Sequence, residues 1–130
     1  MSENAVDKIE VGDSEEYDGD EYWVERLSLR TMERYISAII SGEQQLEQRR
    51  ASPFYDVRLL RYIDKRKVKW DAVRQVKVLH LYAGNQPNSK FVDVRVLKNR
   101  LVEYLRDVPE GWKKGDQVYE FELGDVVAHG

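Results

Sequence analysis

The chain has 130 residues, of which 42% are hydrophobic and 35% charged, with a net charge of -3 at pH 7. That length suits one domain with a real core, while no apolar run approaches the ~20 residues that span a bilayer and no signal-peptide pattern opens the chain, so a cytoplasmic protein is expected. The lack of cysteine excludes disulfides, thiol nucleophiles and thiolate metal sites, and with His80 and His129 as the two histidines neither a metal nor a cofactor is expected.

Residues 1–21 carry nine acids against Lys8 alone, a net of -8. Few large apolar groups accompany them, so this stretch reads as a disordered acidic tail. Residues 22–130 hold 15 acids and 20 Lys plus Arg, a net of +5, and form the folded domain. A basic domain behind an acidic leader points to an anionic partner. The leader is expected to fold back over the domain and compete with phosphates.

Residues 22–29 read as a first strand. Met32, Tyr35, Ile36, Ile39 and Ile40 recur at helical spacing after Thr31, a potential N-cap. Gly42 follows the last of them, where a left-handed C-cap is expected. Residues 45–50 are short and extended, and Pro53 breaks them. Residues 54–63 read equally as a strand or a short helix, and 64–69 as a polar loop. Residues 76–83 are apolar at both alternate sets of positions, which predicts a central buried strand with His80 as a core histidine. Residues 84–89 are dense in turn formers.

Val92, Val94 and Val96 alternate with polar residues in a half-exposed strand. Leu97, Leu101, Val102 and Leu105 predict a short helix, closed by Pro109 and Gly111. Trp112 leads into a turn at 113–116. Tyr119, Phe121 and Leu123 line a last strand, and Gly124 starts its turn. Five or six short strands with two or three short helices make an α+β, mainly β domain, best fitted by a small barrel.

Within this order, a helix is followed by Gly42, then Gln44, Glu47 and Arg49. The run resembles the signature of the ASCH family, Gly-x-Lys-x-x-Glu-x-Arg, with Gln44 at the lysine position. Residues 118–127 look like the closing strand and turn of such proteins, and 76–96 like their middle hairpin. The resemblance spans roughly residues 22–127 and implies a PUA-like β-barrel with a ligand cleft beside Glu47 and Arg49. Alternation along an extended segment puts Gln45, Glu47 and Arg49 on one face, where carboxylate and guanidinium can pair. The plainer reading is an ordinary ion pair that staples the strand.

Residues 49–77 add a run of cations: Arg49, Arg50, Arg58, Arg61, Lys65, Arg66, Lys67, Lys69, Arg74 and Lys77. Only Asp56, Asp64 and Asp71 oppose them, and Phe54, Tyr55, Tyr62 and Trp70 lie between. Cations hold phosphates and rings stack on unpaired bases, so RNA or another single strand is the expected partner. Gln44, Glu47, Arg49, the later cations through Lys69, Trp70 and Lys90 are the candidate binding residues. For Phe54, Tyr62 and Trp70 the core is the competing location. Lys113 and Lys114 beside Trp112 form a second, smaller patch.

The resemblance also implies two chemistries, amidohydrolysis of acetylated cytidine and ribonuclease action. Gln44 cannot supply the amine that the first requires. An enzyme on RNA or modified nucleosides would have to rest on Glu47, Arg49 and Tyr82. A protein-interaction module is the third reading.

Overall fold

The computed structural model describes residues 7–17, 19–106 and 108–130. In chain order they form β1 (Lys8–Val11), β2 (Trp23–Arg30), α1 (Glu33–Ser41), β3 (Leu46–Arg50), α2 (Pro53–Leu59), β4 (Leu60–Tyr62), β5 (Trp70–Val73), β6 (Gln75–Tyr82), β7 (Phe91–Tyr104) and β8 (Gln117–His129). The main sheet runs β2-β6-β7-β8-β3, and β1 adds to β7. β4 and β5 make a separate two-stranded sheet. The fold is therefore mainly β with two short helices, and the strand path is open, with β2 and β3 at its two ends. No helix among the described residues is long and apolar enough to cross a membrane.

Local sequence explains the helices. The apolar stripe of α1 buries Ile36 and Ile39, and Gly42 closes it in the left-handed region at φ 83°. Thr31 does not cap it; Met32 occupies that position without a side-chain bond. Pro53 opens α2, where its missing N–H costs nothing. Residues 54–63 contain both expected elements in succession, since α2 gives way to β4 at Leu60. Ile36, Ile39 and Leu59 from the helices meet Leu27, Leu29, Leu79, Leu81, Val92, Val94, Tyr119 and Phe121 from the sheet in one core.

Three expectations are corrected. The leader is not a disordered tail over its described part: Lys8–Val11 pairs antiparallel with residues 101–104 of β7. Asp13 bridges to Ala72, and Ser14 is buried. β6 pairs with β7 only through residues 91–95, so the rest of that β7 edge is open to β1. A strand edge left unpaired is a strong template, and it overrides the leader's poor apolar content. Residues 1–6 lie outside the described residues.

Residues 97–105 are not helical either. β7 continues to Tyr104, paired with β8 on one side and β1 on the other. Leucine spacing alone suited a helix, but pairing on both edges decides the conformation. Leu97 is left 70% exposed at a run of register shifts. Gly124 starts no turn; β8 runs on to His129. A Cβ there would lie 2.9 Å from Leu97 Cδ2, so the glycine makes room for that displaced side chain.

Where β6 and β7 part, Gln75 and Asn99 replace the ladder with side chains. Asn99 Oδ1 accepts from Val76 N–H at 2.8 Å and its amide donates to the Arg74 carbonyl at 2.9 Å. Gln75 donates to the Asn99 carbonyl at 2.8 Å and accepts from Asn99 N–H at 2.9 Å. Both side chains are buried, so each backbone group they satisfy would otherwise be stranded.

Register also sets three rows on the face of β2, β6 and β7 that points away from the core. Arg26 stands beside Val78, and Val78 beside Arg95. Ser28, His80 and Asp93 form the second row. Arg30, Tyr82 and Phe91 form the third.

Candidate functional site

Gly42 reverses the chain out of α1 and delivers Gln44 and β3 beside the start of that helix. Between them lies a groove of about 740 Å³. Arg30 and Thr31 at the end of β2, Met32 and Tyr35 of α1, Gln44, β3 residues 46–49 and Trp112 line it. Tyr35, Met32 and Leu46 remain exposed apolar surface there.

Glu47 is buried at the base of this groove with both oxygens engaged. Arg49 Nε donates to Oε1 at 2.9 Å, and the Gln44 amide donates to Oε2 at 2.8 Å. The same Gln44 amide donates to the Leu46 carbonyl at 3.1 Å. Arg49 is also committed: Nη1 and Nη2 each donate to the Arg30 carbonyl at 3.2 Å, and Nη1 reaches Tyr55 Oη at 3.4 Å. Four of the guanidinium's five N–H groups are thus used within the protein. Beneath it, Tyr119 donates to Asp56 at 2.7 Å and ties α2 to β8. Burial, reinforced by that carboxylate, pushes the Tyr119 phenol far above its ordinary range, so it stays neutral.

Trp112 also lines the groove. It stacks on Tyr104 at 6.4 Å and 22°, and the Arg50 guanidinium sits 5.1 Å from its ring. Arg50 pairs in turn with Asp116 at 3.0 Å. The site therefore joins a buried carboxylate, a held guanidinium, a neutral amide and two aromatic walls. Such a set can orient a planar polar group by hydrogen bonds beside aromatic surface. Among the described residues no cluster of three His, Cys, Asp or Glu is placed to hold a metal.

Comparison of the chain with protein-family models, curated proteins and solved structures gives no match.

Of the candidate residues, the structure brings Gln44, Glu47 and Arg49 together in the groove, with Arg50 behind Trp112. The rest of the basic run does not gather there. Arg61 is locked to Asp71 at 2.9 and 2.5 Å and covers the Tyr17 ring at 3.9 Å. Its hydrogen bond holds the Asp71 carboxyl below the usual range. Lys65, Arg66, Lys67 and Lys69 sit on the β4–β5 loop, whose turn is tied by Asp64 to the Val68 and Lys69 amides at 3.1 Å. Lys90 is at the foot of the β6–β7 hairpin, where its carbonyl accepts from Ala83 N–H at 2.9 Å.

Trp70 packs against the core. A Cβ on Gly12 would collide with its ring, so the leader covers it. It is no stacking surface. Tyr82 lies on the outer face of β6 rather than beside Glu47, which removes the Glu47, Arg49 and Tyr82 constellation. His80 is not in the core but half-buried on that same outer face, with Nδ1 at 2.5 Å from Asp93. Phe54 is exposed under Arg58, which stands 3.8 Å above its ring.

Sequence reasoning missed Arg30 and Tyr35 as groove residues. Tyr35 was assigned to the buried helix stripe, yet it lies one turn before Ile39 at the groove's edge. The rows on β2, β6 and β7 were missed as well. Their signal was present as polar and aromatic residues alternating with buried leucines and valines at 26–30, 78–82 and 91–95.

Proposed function

We propose that this is a cytoplasmic, single-strand nucleic-acid-binding domain of ASCH type, a PUA-like barrel left unsealed between β2 and β3. Its groove takes one unpaired nucleotide, preferably of RNA. The observation that carries this reading is the set of motif residues at one place. Gln44, Glu47 and Arg49 converge on a groove of nucleotide size whose walls are Tyr35 and Trp112. Aromatic walls accept a base by stacking, while Gln44 and the remaining Arg49 N–H present edges for hydrogen bonds. Arg30 at the rim supplies charge for a phosphate.

Binding fits better than hydrolysis. Glu47 has each oxygen engaged, by Arg49 and by Gln44, and Gln44 puts a neutral amide where the signature would place an ammonium. A neutral amide neither takes a proton at neutral pH nor attacks, and Glu47 is engaged in orienting Arg49.

Titration with single-stranded RNA, single-stranded DNA and duplexes across a salt series tests the reading. Single-stranded RNA should bind most tightly, with affinity falling linearly in log salt. Trp112→Ala should weaken it roughly tenfold, since stacking contributes about 1–3 kcal/mol per base. No binding at low salt, or a flat salt dependence, would overturn it.

A further inference from the structure

We propose that the outer face of β2, β6 and β7 is a second part of the binding surface, a platform on which the bases flanking the groove nucleotide stack. The proposal rests on the nucleic-acid reading and extends it from one nucleotide to a strand.

Three rings occupy the middle of this face. His80 stacks against Tyr82 with centroids 5.6 Å apart at 23°, and Phe91 flanks His80 at 5.6 Å and 39°. All three are half-buried, so they are fixed from one side and open on the other. Half-exposed rings on a sheet face offer stacking surface to unpaired bases, and a duplex hides those base faces. The 84–89 turn rises beside them and encloses a concavity of about 440 Å³.

Three exposed arginines, Arg26, Arg30 and Arg95, surround the rings through the cross-strand register. The rows hold one carboxylate, Asp93, which contacts His80 Nδ1 at 2.5 Å and pairs with Arg26 at 3.7 Å. Among the described residues no carboxylate pairs with Arg30 or Arg95. Arg30 also lines the groove, so the two surfaces share a border.

The charge continues past Arg26. An adjoining concavity of about 560 Å³ shares Arg26, Ser28 and Tyr82 with the first and ends at Arg58 and Arg74. Arg74 donates to the carbonyls of Glu21, Arg58 and Trp23, and Arg58 to that of Phe54. Carbonyls orient these guanidinium groups without cancelling their charge. Rings bordered by arginines, of which Arg26 alone has a carboxylate partner, complement a polyanion with exposed bases, and they would be a poor seat for an apolar protein face.

The test uses the full chain with uridine monophosphate as the groove probe and an oligouridylate as the strand probe. Tyr82→Ala should weaken the oligouridylate about tenfold and leave the mononucleotide unchanged, whereas Tyr82→Phe should retain both. The Arg26→Gln/Arg95→Gln double variant should lower the log–log salt slope by about 1.4, about 0.7 per phosphate contact. Amide shifts on adding the oligonucleotide should extend to residues 26–30, 78–82 and 91–95. If Tyr82→Ala and the arginine variant bind the strand as well as the parent, with shifts confined to the groove, the platform is wrong and the groove reading stands. If the parent binds neither probe, the nucleic-acid reading itself fails. Duplex RNA binding as tightly as the single strand would overturn stacking on this face.

Discussion

Arg49 on β3 grips the backbone carbonyl of Arg30 on β2 with both terminal nitrogens, each at 3.2 Å. β2 and β3 are the two ends of the main sheet and share no ladder, so one side chain spans the gap that strand pairing leaves. The same guanidinium neutralises Glu47. It therefore acts first as a closure device, with one N–H left over from these bonds.

Arg49→Met should accordingly destabilise the domain by about 2–3 kcal/mol, because Glu47 is left buried with only the Gln44 amide. Arg49→Met combined with Glu47→Gln should recover part of that loss, since the orphaned charge is gone. Urea denaturation of the parent and both variants measures this. Equal stability of all three would show that the gap between β2 and β3 is held by packing alone.

The buried Gln75 and Asn99 pair sets a second expectation. Asn99→Leu keeps the branched shape but strands the Val76 N–H and the Arg74 carbonyl, while Gln75, bonded to the Asn99 main chain, keeps both its partners. The cost should be at least about 2 kcal/mol, summed over the two unsatisfied buried groups. Hydrogen exchange should show the Val76 amide losing protection first, because its acceptor is the deleted side chain.

How much of this was visible beforehand depended on how local each cause was. Gly42, Pro53 and the α1 stripe act within a few residues, and the helix, its end and the start of β3 were all legible. The motif from Gln44 to Arg49 was legible for the same reason, since alternation along one strand puts Glu47 beside Arg49. The course of β7 was not, because its leucine spacing is compatible with a helix and the deciding partners, β1 and β8, are remote in sequence. Nor could a charge count show that Arg61 belongs to Asp71 while Arg58 and Arg74 keep uncancelled charge. Those facts arise from the β4–β5 pairing and from carbonyls presented by β2 and α2.

The leader gives a third prediction. Lys8 Nζ lies 3.0 and 2.9 Å from the two oxygens of Glu120, which is buried and also accepts from the Gln48 amide at 2.7 Å. Lys8→Met should destabilise by about 1–3 kcal/mol, the cost of a buried carboxylate losing its charged donor. Deleting residues 1–11 should cost more, because it also bares the β7 edge. A thermal melt unchanged by that deletion would mean that β1 contributes nothing to the fold, and the leader would return to being a removable appendage.

Arg61 and Asp71 yield a fourth, read by pH. The Arg61 hydrogen bond lowers the Asp71 pKa in the folded state. The pair's contribution is thus present above the unfolded carboxyl pKa, about 3.9, and fades as pH falls through the lower folded value. Carboxyl NMR titration should place Asp71 below the ordinary range in the parent and return it upward in Arg61→Ala. Nucleic-acid affinity should hardly change in that variant, because the guanidinium is already occupied. A marked loss of affinity with no movement of the Asp71 titration would assign Arg61 to the ligand instead.

The last prediction concerns Gln44, which stands where the proposed family resemblance would have a lysine. Gln44→Lys places an ammonium beside Glu47, where the amide now donates at 2.8 Å. Glu47 would then face two cations, Arg49 and the new lysine, and the groove would gain one net positive charge. Stability should change little, since the carboxylate keeps a donor in each direction. Affinity for single-stranded RNA should rise severalfold at low salt, with the log–log salt slope steeper by about 0.7 for one added phosphate contact. If the slope stays the same while binding persists, the new charge is spent on Glu47 and the phosphates run elsewhere, over Arg30 and the sheet face. If binding is abolished, the Gln44 amide itself is a ligand contact, and its neutrality is part of how the groove selects what it holds.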